Sequence, residues 1–101
     1  MWNEKELKPK YDSAKSFYKK AIVLEWERVD CKQLQSYSTI VAEIKNGMAI
    51  VYGAYSRTTM RHIRDFLYQN GFKCNMAQKE LLKEYAPIKY ELQCTINACE
   101  G

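Results

Sequence analysis

Asn46-Gly47, set between Thr39-Ile40-Val41-Ala42-Glu43-Ile44-Lys45 and Met48-Ala49-Ile50-Val51-Tyr52, is the feature that most restricts the fold. Asn-Gly between apolar-rich runs favours a two-residue type I′ turn, because both central positions take positive φ. Closing that turn sets the register. Ile44 then faces Ala49 and Ala42 faces Val51, so Ile40, Ala42, Ile44, Ala49 and Val51 are expected on one face, with Val41, Glu43, Ile50 and Tyr52 on the other.

An isolated hairpin is marginal in water, so the rest of the chain must supply partners. Ile22, Leu24 and Trp26 alternate with Val23, Glu25 and Glu27, the period of a half-buried strand. A further extended piece covers Gln33 to Tyr37. After Gly53 the period becomes helical: Ser56 is placed as N-cap, Met60, Ile63, Phe66 and Leu67 form an apolar stripe, and Asn70-Gly71 ends the helix near Gln69. A shorter helix runs from after Asn75 to about Tyr85, with Ala77, Leu81, Leu82 and Tyr85 inward and Pro87 closing it. Ile88 to Ile96 alternates again and reads as a last strand, an edge through which two copies could pair as a homodimer.

The expected fold is α+β: an antiparallel sheet of four to five strands, one long helix packed on one face, and a second short helix. Residues 1–15 mix charge with Trp2, Leu7 and Pro9 without a sustained period. They read as an N-terminal arm, partly ordered with Trp2 docking on the body, ahead of a single domain over residues 16–101.

The chain is 101 residues long, enough for one modest core. No run reaches the length of a membrane span, and Met-Trp-Asn-Glu-Lys-Glu lacks the layout of a signal peptide, so the expected location is the cytoplasm. Cys31, Cys74, Cys94 and Cys99 form no C-x-x-C and meet a single histidine, His62; free buried thiols are expected rather than a metal site. No nucleotide-cradling glycine loop, nucleophile elbow or paired-histidine zinc motif occurs. His62 with Asp65 could form an acid–base pair, yet no nucleophile or third group is placed against it, and a hydrogen-bonded histidine on the helix surface is the simpler reading. No catalytic residue and no cofactor are expected.

Charge is uneven. Residues 1–20 hold six lysines against three acids, and residues 53–73 hold three arginines and a lysine against one acid. Arginines at a helix N-terminus oppose the local field unless an anion or carboxylate compensates them. Arg57, Arg61, Arg64 and Tyr68 share one helical stripe, where arginine can fork onto phosphate oxygens with Ser56, Thr58 and Thr59 adding short donors. Tyr52 and Tyr55, among eight tyrosines, lead into this stripe and suit stacking on bases. The competing reading is a solvated helix face with Asp65 paired to Arg61 at i,i+4, and tyrosines that cover sheet margins.

Three stretches carry a resemblance: Tyr11-Asp12-Ser13-Ala14-Lys15-Ser16-Phe17-Tyr18-Lys19-Lys20-Ala21, then Tyr37-Ser38-Thr39-Ile40-Val41-Ala42, then Gly53-Ala54-Tyr55-Ser56-Arg57-Thr58-Thr59-Met60-Arg61-His62-Ile63, followed by Phe66-Leu67 and Gly71. Over residues 11 to 72 the chain resembles a family of small bacteriophage and mobile-element proteins of gut bacteria. The family pattern often has glycine where Lys19 stands and alanine where Arg57 stands. The resemblance implies a phage setting and carries no activity. By analogy it implies a non-enzymatic accessory protein of the counter-defence or host-takeover kind, anti-CRISPR-like, acting in the bacterial cytoplasm. With the basic Arg/Tyr surface, the expected partner is nucleic acid or a nucleic-acid-bearing host complex. The alternatives are a protein–protein inhibitor of a host enzyme and sequestration of a small nucleotide.

Overall fold

In the computed structural model, which describes residues 2–86, the chain order is β1 (Trp2–Glu6), β2 (Ala21–Trp26), β3 (Cys31–Ser36), β4 (Thr39–Lys45), β5 (Met48–Val51), α1 (Arg57–Gln69) and α2 (Gln78–Glu84). The strands form one antiparallel five-stranded sheet in the order β1-β2-β3-β4-β5, a meander. Sheet residues Ala21, Val23, Leu34, Ala42, Ile44 and Val51 share one core with Met60, Ile63, Phe66 and Leu67 of α1 and Leu81 of α2. The architecture is α+β, with helices of 13 and 7 residues.

The β4–β5 hairpin closes as its turn chemistry requires. Asn46 and Gly47 have φ of 52° and 79°, and Lys45 pairs with Met48, Ile44 with Ala49 and Ala42 with Val51. One face assignment changes. Between β3 and β4 the register passes from Leu34↔Ala42 to Gln35↔Ile40, so Val41 has no partner. This bulge inserts one residue and inverts the alternation beyond it. Val41 is therefore buried in the core, and Ile40 lies outside it.

In β2 the core takes Ala21 and Val23, while Leu24 is buried outside that cluster. Ala21-Ile22-Val23-Leu24 is apolar throughout, so the run contains no polar residue to fix its phase. Trp26, which alternates in the sequence with Ile22 and Leu24, packs on Trp2 with ring centroids 5.0 Å apart.

Residues 2–6, expected as part of an arm, are the edge strand β1. Trp2 pairs with Trp26 and Glu6 with Ile22. Its first four residues are exposed, so no apolar period marks it. Main-chain pairing, the tryptophan contact and a Lys5–Glu25 ion pair of 3.4 Å hold it in place.

Helix α1 starts and stops where its caps dictate. Thr59 N–H donates to Ser56 Oγ at 3.3 Å. At the other end Gly71, at φ 82°, donates to Tyr68 O and Phe72 donates to Leu67 O, the paired bonds of a Schellman ending that a left-handed residue permits. Met60, Ile63, Phe66 and Leu67 are at most 1% exposed. In α2, Leu81 and Tyr85 are buried and Leu82 partly so; Ala77, expected inward, is the exposed N-cap. Val51 N–H donates to Tyr85 O at 2.8 Å, so the end of α2 meets strand β5. Cys31 and Cys74 are free buried thiols, and burial raises the pKa of both. The strand expected over Ile88 to Ile96, its dimer edge, Cys94 and Cys99 lie outside the described residues.

Candidate anion-binding face

The geometry of this face begins with Asp65, which is fully buried. Its Oδ1 accepts from Lys10 N–H at 2.8 Å and from Gln69 Nε2 at 2.7 Å, its Oδ2 from Asp12 N–H at 2.9 Å, and Tyr11 N–H reaches both oxygens at 3.2 Å. A carboxylate is acceptor-only, so three successive backbone donors and one amide match it completely. Gln69 Nε2 also donates to Lys8 O at 2.7 Å. The Tyr11 ring lies 5.4 Å from the Tyr68 ring. Together these contacts lay the segment around residues 8–12 along α1.

The Arg61–Asp65 pair expected on the helix surface is therefore replaced. Arg61 donates through Nε to Asp12 Oδ2 at 2.8 Å and through NH2 to Oδ1 at 2.6 Å. The guanidinium holds the Asp12 carboxyl down at a pKa of about 2. Asp12 is the carboxylate that compensates an arginine in the first turns of α1, and it arrives from a distant part of the chain.

The consequence for charge is a merged surface. The two lysine- and arginine-rich segments, separate in sequence, now adjoin. Lys8, Lys10, Lys15, Lys19 and Lys20 are all exposed, as are Arg57 and Arg61.

A pocket of about 250 Å³ opens in this face. Ser16, Tyr18 and Lys20 line it from the segment before β2, Thr58, Arg61 and His62 from α1, and Tyr37 from the β3–β4 turn. Tyr18, Lys19 and Tyr37 have φ of 54°, 62° and 59°. Left-handed backbone is uncommon for bulky residues and persists only where surrounding bonds impose it. Here Tyr18 N–H donates to Ser16 Oγ at 2.8 Å, Lys20 N–H to Phe17 O at 3.0 Å and Tyr37 N–H to Lys20 O at 2.7 Å. Tyr18 and Tyr37 stay 75% and 51% exposed, and Lys20 Nζ sits 5.6 Å from the Tyr37 ring centre.

His62 is not on the helix surface. It is 1% exposed, its Nδ1 lies 2.9 Å from Ser36 Oγ, and Phe17 meets its ring edge-on at 4.5 Å. Ser36 Oγ is also 3.0 Å from Thr59 Oγ1. Burial, then the nearby Arg61 charge, pushes the imidazole pKa below its ordinary value. Asp65 makes no hydrogen bond with it, so the two do not form an acid–base pair.

The residues expected to form the binding surface divide. Arg57, Thr58 and Arg61 lie on the merged face, and Tyr68 borders it with Tyr11. Ser56 is occupied as the cap, Thr59 is buried against Ser36, and Tyr55 packs on the core. Arg64 donates to Met76 O at 3.3 Å, toward the α2 side. Tyr52 stands by Glu43, and burial together with that carboxylate pushes its phenol up to about 12. Tyr18, Lys20, Tyr37 and His62 were absent from the sequence-based set. A charge signal existed at Lys19-Lys20, whereas nothing local announces the positive φ of Tyr18 and Tyr37.

These features define a small α+β protein: an antiparallel meander backed by two helices, with a cationic face assembled from two distant segments. The chain belongs to a family of unknown function (DUF8033), whose pattern matches residues 5–83. No curated protein and no solved structure matches it.

Proposed function

We propose that this chain is a non-enzymatic binding protein whose cationic face takes nucleic acid, free or carried in a host complex. The observation that supports this most is the docking of residues 8–12 on Asp65, which brings exposed lysines beside the exposed arginines of α1. Juxtaposed cations concentrate positive potential on one side, the footprint expected for a polyanion. Exposed Tyr18 and Tyr37 add ring faces on which bases can stack. The resemblance to bacteriophage and mobile-element proteins supports a reading in which the chain acts in a bacterial cytoplasm, as an accessory of the counter-defence or host-takeover kind.

The test is fluorescence anisotropy of labelled single-stranded DNA, duplex DNA and RNA across a salt series. Four phosphate contacts to a single strand imply that affinity falls ~50-fold between 50 and 200 mM salt. Lys10→Glu with Arg57→Glu, both exposed, should abolish binding in a chain that still folds. Absence of binding at low salt would exclude free nucleic acid as the partner. Retention of a host protein at high salt would instead favour an inhibitor acting through apolar contacts, since these are little screened.

A further inference from the structure

We propose that the pocket beside His62 receives a nucleotide's phosphate monoester, with the attached base laid on the exposed ring of Tyr18 or Tyr37. This deepens the nucleic-acid reading and rests on it. The first observation is His62 itself. Its one hydrogen bond among the described residues is Nδ1 to Ser36, and none of the described buried side-chain nitrogens or oxygens lacks a partner. His62 is 1% exposed, and it lines the pocket together with Lys20, Thr58 and Arg61. When Thr59 O–H donates to Ser36 Oγ and Ser36 O–H donates to Nδ1, the ring proton sits on Nε2, a donor on a side chain that lines the pocket.

The second observation is the donor set around that nitrogen. Arg61 has five N–H groups, of which Asp12 takes two, so its remaining edge is available. Lys20 adds a second cation and Thr58 a hydroxyl. Among the described residues Asp12 is the one carboxylate bonded to these groups, and it offsets one of the two charges. A phosphate monoester carries a charge of about −1.5 to −2 and three terminal oxygens, which matches donors arriving from Lys20, Arg61 and His62. An internal phosphodiester has one charge and two such oxygens and leaves a donor unused.

Size sets the rest. About 250 Å³ lies below the range of roughly 300–1,000 Å³ typical for drug-sized ligands. A phosphate and sugar can enter, while a base stays outside against a tyrosine. That chemistry is shared by the 5′-phosphorylated end of a strand and by a free nucleoside monophosphate.

The experiment compares a short single strand carrying a 5′-phosphate with the same strand ending in 5′-hydroxyl, and adenosine 5′-monophosphate with adenosine. Binding is read by anisotropy and by the ¹⁵N shift of His62 Nε2. The phosphorylated strand should bind about tenfold more tightly, as an added charge-assisted contact set implies. The Nε2 resonance should move only with phosphate-bearing ligands. Lys20→Ala, at an exposed position, should remove the preference, which separates loss of a ligand contact from loss of the fold. Equal affinity for both strands with an unmoved Nε2 resonance would overturn this inference and leave the nucleic-acid reading standing. Binding of the monophosphate without either strand would uphold the pocket and overturn the polymer reading. Silence toward all four ligands would overturn this inference and exclude free nucleic acid as the partner.

Discussion

Asp65→Asn isolates what joins the two halves of the cationic face. The carboxylate accepts from Lys10, Tyr11, Asp12 and Gln69, all of them N–H donors. An amide can reproduce only one oxygen. If that oxygen takes the Oδ1 position, the new NH2 faces Asp12 N–H. In the opposite orientation it faces both Lys10 N–H and the Gln69 amide, which is already held by Lys8 O. The milder case loses one bond to a charged acceptor, about 1.5–3 kcal/mol, and weakens the bonds that remain, because neutral acceptors bind roughly half as strongly. A total near 3 kcal/mol follows. At 4–8 °C per kcal/mol for a domain of this size, Tm should fall by roughly 10–25 °C when followed by circular dichroism. If the segment instead detaches while the sheet stays folded, the loss appears as faster hydrogen exchange at the Lys10, Tyr11 and Asp12 amides. A Tm within about 2 °C of the parent, with those amides still protected, would refute the assignment of Asp65 as the clasp.

Other expectations follow from the same geometry. His62 has a folded pKa held below 6.5, so the unfolded chain binds the extra proton first; stability is full above about 6.5 and declines as pH falls through that value. Urea midpoints at pH 7.5 and 5.5 should show this, and His62→Asn should flatten the difference. Asp12, lowered from 3.8 to about 2 by Arg61, contributes stability that is present above 3.8 and lost as pH falls toward 2. The acid limb of a stability profile should therefore shrink in Asp12→Asn relative to the parent. Lys19→Gly should raise stability by about 0.5–1 kcal/mol by relieving a left-handed residue, and Gly47→Ala, at φ 79°, should lower it by about 1–2 kcal/mol; urea titration reads both.

The legible parts of this chain are those whose cause is local. Asn46-Gly47 carries its own turn preference, and Ser56 with Asn70-Gly71 delimits α1 through bonds made within a few residues. The illegible parts depend on distant partners. β1 lacks an apolar period because an exposed edge strand needs only a neighbour to pair with. The bulge at Val41 is a relation between two strands rather than a property of either. Asp65 and His62 occupy helix positions that look solvent-facing on a narrow apolar stripe, yet backbone donors from residues 10–12 and the hydroxyl of Ser36 turn both into interior residues. Of the candidate site, Arg61 and Thr58 were readable as charge and hydroxyl at a helix start. Its other wall was not, because Tyr18, Lys20 and Tyr37 reach it only through folding.

The clasp on Asp65 also has a meaning in time. Strands β2 to β5 join through short connections, so their pairing is inexpensive in loop entropy and can form early. The bonds to Asp65 span 53 to 55 positions and require α1 to be seated already. Docking of the lysine segment is thus expected among the last steps of folding and the first of unfolding. A ligand that bridges both segments would touch the chain only after that step, so it should slow unfolding while leaving the folding rate nearly unchanged.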